Sequence, residues 1–173
     1  MASYYYLIAS LPDLKSDGEM PLNYVEFLSL CELNVSESTY NALKNLTLSS
    51  EDGPFLKKWN AFYENLMREL NSQRSAKLGK TYSAEYEKDL ITTQAAQAAM
   101  AAKNPLEAEK ILLDCQFEGL DSLVGMHTFD DVYLFGYAIK LKLLERQSCF
   151  EESKGKAEFK HLFDAVQQRV YSL

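Results

Sequence analysis

Two histidines, three cysteines and a run of carboxylates are the side chains with which this 173-residue chain would have to do chemistry. Glu158-Phe159-Lys160-His161 has the Glu-x-x-His spacing of helical di-iron bundles, in which both ligands leave one face of a helix. Such a centre needs a second copy and two more carboxylates, but the other histidine, His127, has Val124 three residues before it. His161 therefore reads as a surface residue on an amphipathic helix. Gly79-Lys80-Thr81 has the ending of a phosphate-binding loop, which requires a glycine five positions earlier so that the backbone can curl around phosphate. Arg74 stands there, and a long helical pattern precedes the site instead of a strand. His127 as a base would need Cys115 or Ser122 as nucleophile, without the strand–turn–helix elbow that exposes one. Glu118, Asp121, Asp130 and Asp131 cluster in sequence but lack the spacing and glycine of a calcium loop. They read as a solvated acidic loop or as a surface facing a basic partner. No catalytic, cofactor-binding or metal-binding residue is assigned.

Cys31, Cys115 and Cys149 are odd in number, far apart and without a C-x-x-C pair. All three lie in apolar helical patterns, which predicts reduced core thiols in a reducing compartment.

The formal charge is −7, unevenly spread. Residues 1–52 hold 2 basic and 8 acidic side chains, 53–80 hold 6 and 2, 81–131 hold 3 and 10, and 132–173 hold 7 and 5. An acidic chain with no strongly basic block is a poor nucleic-acid binder. The alternating sign would let segments attract one another or steer a charged protein partner. The apolar run from Tyr4 to Leu11 is short and no Lys or Arg precedes it, so no secretion signal is expected. No stretch approaches the roughly 20 apolar residues that span a bilayer.

These side chains must be positioned by helices. Seven Gly and four Pro are too few for a turn-rich β fold, and a chain of this length forms one domain that needs no disulfide or metal. The central element is expected at 128–147, with Thr128 as N-cap, Asp130 and Asp131 in the first turn, and Lys140, Lys142 and Arg146 towards the other end. Between these ends apolar residues wrap most of the circumference, and a helix apolar all round is buried. Gly136 in its middle costs about 1 kcal/mol relative to Ala, which close approach of a neighbouring helix would offset.

Other helices are predicted at 21–33, opened by Pro21, and at 34–46, with Asn34 as cap and Glu37 completing a capping box. The clearest amphipathic pattern is 54–78, with Phe55, Leu56, Trp59, Phe62, Tyr63, Leu66, Met67 and Leu70 on one side and Glu64, Arg68 and Glu69 on other faces. An alanine-rich helix follows at 83–102. The next opens at Asn104-Pro105-Leu106-Glu107 and runs to 117, leaving 119–127 as a link. After 147 the pattern continues to 152 and breaks around Gly155. A last helix, 156–171, carries Phe159, Leu162, Phe163, Val166 and Val170 on one side. The segment 3–14 is expected to be extended, from its aromatic and β-branched residues. One or two of its three tyrosines should pack on the core. The expectation is an all-α fold of about seven helices around 128–147, one domain over 1–173 with possible lobes at 1–79 and 84–173.

Three stretches together carry a resemblance. They are Tyr4-Tyr5-Tyr6-Leu7-Ile8-Ala9-Ser10-Leu11-Pro12; Phe55-Leu56-x-x-Trp59-x-x-Phe62-Tyr63 with Arg68 and Arg74; and Tyr137-Ala138-Ile139-Lys140-Leu141-x-Leu143-Leu144-Glu145-Arg146 followed by Lys154-Gly155. The chain resembles a bacterial family of unknown function encoded beside subunits of V-type (archaeal-type) rotary ATPases. Its last block is also similar to the C-terminal helices of the V-type ATPase C subunit, called d in eukaryotes, the all-helical cap joining rotor axle to membrane ring. The chain is about half as long as that subunit, so it would hold part of that funnel or do a related job. The resemblance implies a non-catalytic coupling or assembly subunit of an ion-transporting ATPase. Its partners would be the central stalk and membrane ring, and its place would be cytoplasmic, peripheral to the inner membrane through the complex. Acidic residues such as Glu118, Asp121, Asp130 and Asp131 would face basic helices of the axle. The other reading is a free-standing helical adaptor with no ATPase link.

Overall fold

The computed structural model describes residues 4–83, 86–150 and 152–171, and these form eight helices and no strand. They are α1 (Tyr5–Ser10), α2 (Tyr24–Glu32), α3 (Glu37–Lys44), α4 (Pro54–Lys77), α5 (Leu90–Ala101), α6 (Pro105–Val124), α7 (Asp131–Ser148) and α8 (Glu152–Tyr171). Among them no helix is long and apolar enough to cross a membrane.

The element expected at the centre is there. Leu134, Gly136, Tyr137, Ala138, Ile139, Leu141, Leu143 and Leu144 of α7 are all buried. Helices α2, α3 and α6 pack on it directly, and the main core gathers α7 with side chains from α1 to α4 and α6. A smaller cluster joins α4, α5 and α6 through Leu66, Leu70, Ala96, Ala99, Leu112 and Cys115. The alanines of α5 bring its backbone close to both neighbours. Gly136 has the reason expected of it: a Cβ there would lie 2.5 Å from Val124 Cγ2 of α6.

Several boundaries differ, each for a local reason. The first segment is helical, not extended. Tyr4, Leu7, Ile8 and Leu11 share the i, i+3, i+4, i+7 face that packs on the core, and this period overrides β-propensity. Thr128 does not cap α7. Asp130 does, its carboxylate accepting from Tyr133 N at 3.2 Å, while Phe129 O accepts from Tyr4 N at 2.9 Å. Pro21 lies outside α2, which Asn23 and Glu26 open with a reciprocal capping box. Ser36, not Asn34, caps α3, and the Asn34 amide donates back to Leu30 O at 2.8 Å.

Helix α6 runs to Val124, through the predicted link. Gly119 reads as a breaker in sequence, but a Cβ there would meet the Phe62 ring at 2.5 Å, so it is a contact point with α4. Helix α5 begins only after Asp89, whose carboxylate accepts from Thr92 N at 3.1 Å. Of that predicted helix, Ala84 and Glu85 lie outside the described residues, as do Ser3 of the first segment and the Val170 side chain of the last. Helix α8 passes through Gly155 without a break.

The Gly136–Val124 contact gives a sign-dependent prediction. Gly136→Ala gains about 1 kcal/mol in helix propensity but forces an overpacking cost of about 1–3 kcal/mol. In urea melts it should destabilise the native chain, and in a Val124→Ala background the same change should stabilise it.

Candidate functional site

The acidic residues of the α6–α7 corner divide into two groups. Asp131 is tied inward, accepting from Tyr4 Oη at 2.9 Å and Thr39 Oγ1 at 3.0 Å. It thereby fastens the N-terminal segment and α3 to the start of α7. Asp130 caps α7 and pairs with His127 Nδ1. Burial pushes the Asp130 carboxyl up, but His127 and the Tyr133 and Val132 backbone N–H groups outweigh it and hold the group below its usual range. Glu118 and Asp121 face outward from α6. Asp121 accepts from Lys140 Nζ on α7 at 2.5 Å. Among the described residues no three His, Cys, Asp or Glu side chains gather as a metal-ligand set.

The remaining chemical motifs are placed as follows. Gly79 has φ +67 and ends α4. Its N–H donates to Ala76 O at 3.0 Å and that of Lys80 to Ser75 O at 2.9 Å, the pairing of a Schellman C-cap. His127 is engaged by Asp130, not by Cys115 or Ser122. Glu158 and His161 are both exposed on α8. Cys31 and Cys115 are buried as expected, whereas Cys149 is exposed, because it lies just past the end of α7, where the surrounding helices no longer cover the chain. Burial pushes the Cys31 thiol up to about 12, and burial with nearby Glu118 and Asp89 takes Cys115 to about 11.

Two features were not anticipated. Glu69, assigned to an outer face of α4, is fully buried. The Tyr86 hydroxyl donates to one carboxylate oxygen, and Gln73 Nε2 donates to the other at 2.8 Å. Burial raises its pKa, but these two donors and the charge of Lys88 prevail and lower it. Position 69 lies three residues after Leu66 and seven after Phe62, at the border of the apolar stripe, and its donors are Gln73 one turn on in α4 and Tyr86 from the connecting segment. The second feature is a cleft of about 150 Å³ between the loop after α1 and helices α6 and α7. It is lined by Asp13 and Leu14 from that loop, Asp121 and Val124 from α6, and Tyr133, Gly136, Tyr137 and Lys140 from α7. The spacing of those four residues, i, i+3, i+4 and i+7, puts them on one helix face. That period was the available signal.

Helix α8 carries an open apolar stripe. Every described side chain from Gly155 to Arg169 is exposed. Phe159, Leu162, Phe163 and Val166 recur at 0, 3, 4 and 7 along it, and the Phe159 and Phe163 rings stack with centroids 6.2 Å apart. No protein-family model, curated protein or solved structure matches this chain.

Two predictions test this description. Under native conditions a maleimide should label Cys149 and leave Cys31 and Cys115 unmodified until denaturant is added, as read by mass spectrometry. Tyr86→Phe removes a donor from a buried carboxylate and should cost about 1.5–3 kcal/mol in urea melts near neutral pH. A carboxyl whose folded pKa is lowered adds stability above its unfolded pKa and loses it as pH falls through the folded value. The difference between Tyr86→Phe and the parent chain should therefore shrink in acid.

Proposed function

We propose that this chain is a non-catalytic coupling or assembly subunit of a V-type (archaeal-type) rotary ATPase, similar to the C or d subunit and placed between central stalk and membrane ring. The observation that carries the docking role is α8. A 20-residue helix gains most of its stability from packing its apolar face, and the described stripe of α8 has no cover. Four apolar anchors at i, i+3, i+4 and i+7 are the pattern by which an amphipathic helix lies in the groove of another protein. Its occupant in this reading is a helical subunit of the ATPase.

The tie to that machine comes from the three stretches that resemble the ATPase-associated family. Each contributes to the buried core: Tyr4, Leu7 and Ile8; Phe55, Leu56 and Trp59; and Tyr137, Ala138, Ile139, Leu141, Leu143 and Leu144. What the family would share is therefore a packing scheme, with docking left to the surface. Glu118 and Asp121, open on α6, supply negative charge towards a basic stalk helix, whereas Asp130 and Asp131 serve mainly to hold the start of α7. In the alternative reading, a free-standing adaptor, the same helix serves a partner outside any ATPase.

Purification of the native chain under gentle conditions should bring ATPase stalk subunits with it. Phe159→Glu with Phe163→Glu should abolish that association without shifting the melting temperature of the body. Glu118→Lys with Asp121→Lys should weaken it at low salt and much less at high salt. Recovery of the chain free of every ATPase subunit would overturn the ATPase assignment and leave the adaptor.

A further inference from the structure

We propose that the cleft between the loop after α1 and helices α6 and α7 is a socket for a guanidinium group, the side chain of an arginine presented by a partner protein. The inference rests on the reading of this chain as a protein-docking subunit, though not on which machine it serves. The void, about 150 Å³, matches the volume of a cavity that holds a benzene ring, and a guanidinium is smaller. Its lining carries two carboxylates, Asp13 and Asp121, and one ammonium, Lys140. One negative charge is left over for a monocation to neutralise.

The two carboxylates are placed differently. Asp121 spends Oδ1 on Lys140, and its Oδ2 accepts no hydrogen bond among the described residues. Asp13, contributed to the same lining by the loop after α1, is exposed, with no hydrogen bond or ion pair among the described residues. Lys140 is held over the Phe117 ring at 5.1 Å and bonded to Asp121, and it makes no ion pair with Asp13. The lining also includes half-buried Tyr133 and buried Tyr137, whose hydroxyl donates to Pro12 O at 2.9 Å. Leu14 and Val124 add aliphatic surface to the lining.

That combination selects among cations. An ammonium is compact and strongly hydrated, and loses its water poorly against aromatic and aliphatic walls. A guanidinium is planar, weakly hydrated and stacks on rings, while its five donors spread to acceptors on two sides. A free amino acid is disfavoured, because its own carboxylate would enter beside Asp13 and Asp121 with the only lining ammonium already paired. Burial, Asp13 and Asp121 together raise the Tyr133 phenol pKa, consistent with both carboxylates bearing on the same space.

The test is an NMR titration of the full chain with Nα-acetyl-arginine N-methylamide, set against the neutral isostere Nα-acetyl-citrulline N-methylamide. The arginine probe should give saturable shifts at Leu14, Tyr133 and Gly136, and citrulline should leave them in place. Asp13→Asn should weaken the arginine affinity roughly tenfold, the scale of one charge-assisted hydrogen bond. Asp13 is exposed and makes no hydrogen bond or ion pair among the described residues, so the isosteric change keeps the fold. Equal shifts with citrulline, or undiminished affinity in Asp13→Asn, would overturn the socket. Tighter binding of free L-arginine than of the capped probe would assign the cleft to a small molecule and overturn the protein partner. No ATPase subunit is present in the titration. A failed titration therefore leaves docking through α8 standing, and a failed co-purification beside a positive titration moves the arginine to another protein.

Discussion

A helix that is apolar around most of its circumference can be kept from water only by surrounding it, and α7 imposes that requirement on the rest of the chain. Its buried residues include both Leu134 and Gly136, and both Ile139 and Leu141, positions that point in different directions around the axis. One neighbouring helix covers one stripe. Helices α2, α3 and α6 are therefore all needed, with α1, α4 and the segment around Leu14 closing the remaining gaps. Gly136 lets α6 come close enough to seal one side.

Burial on that scale sets direction poorly, because apolar packing is not directional. Hydrogen bonds from the ends of α7 supply it. Asp131 takes the hydroxyls of Tyr4 and Thr39 at one end, and Glu145 accepts from Tyr24 N at 2.6 Å at the other. Midway, the Tyr137 hydroxyl reaches Pro12 O. Each joins residues distant in sequence, and each uses a polar atom that would be costly to bury unpaired. Thus the carboxylates at the start of α7 serve architecture first, leaving Glu118, Asp121 and Asp13 to act outward.

The same contrast separates body from tail. In the body, Asp131, Tyr137 and Glu145 are spent on the fold, and the outward features include the cleft and the carboxylates of α6. In α8 the apolar anchors are open along the described length. A protein that docks through one amphipathic helix and one charged socket would combine burial, which supplies affinity, with a directional charge pair, which fixes register.

Sequence alone determined the helical class, the buried centre, the amphipathic span of α4 and the purpose of Gly136, because these follow from periodicity and propensity over many residues. The Asn104-Pro105 start of α6 was equally plain, since a cap is local. Where two local signals competed, only the folded chain decided. In α1 the core-facing period defeated β-propensity, and at Gly119 the Phe62 ring turned an apparent stop into a contact. Glu69 borders the apolar stripe of α4, but its charge argued for solvent, and the Tyr86 donor that helps to satisfy it comes from outside the helix. The cleft has the same cause: Asp13 and Asp121 are far apart along the chain, and only the packing of α6 on α7 beneath the loop after α1 makes them neighbours.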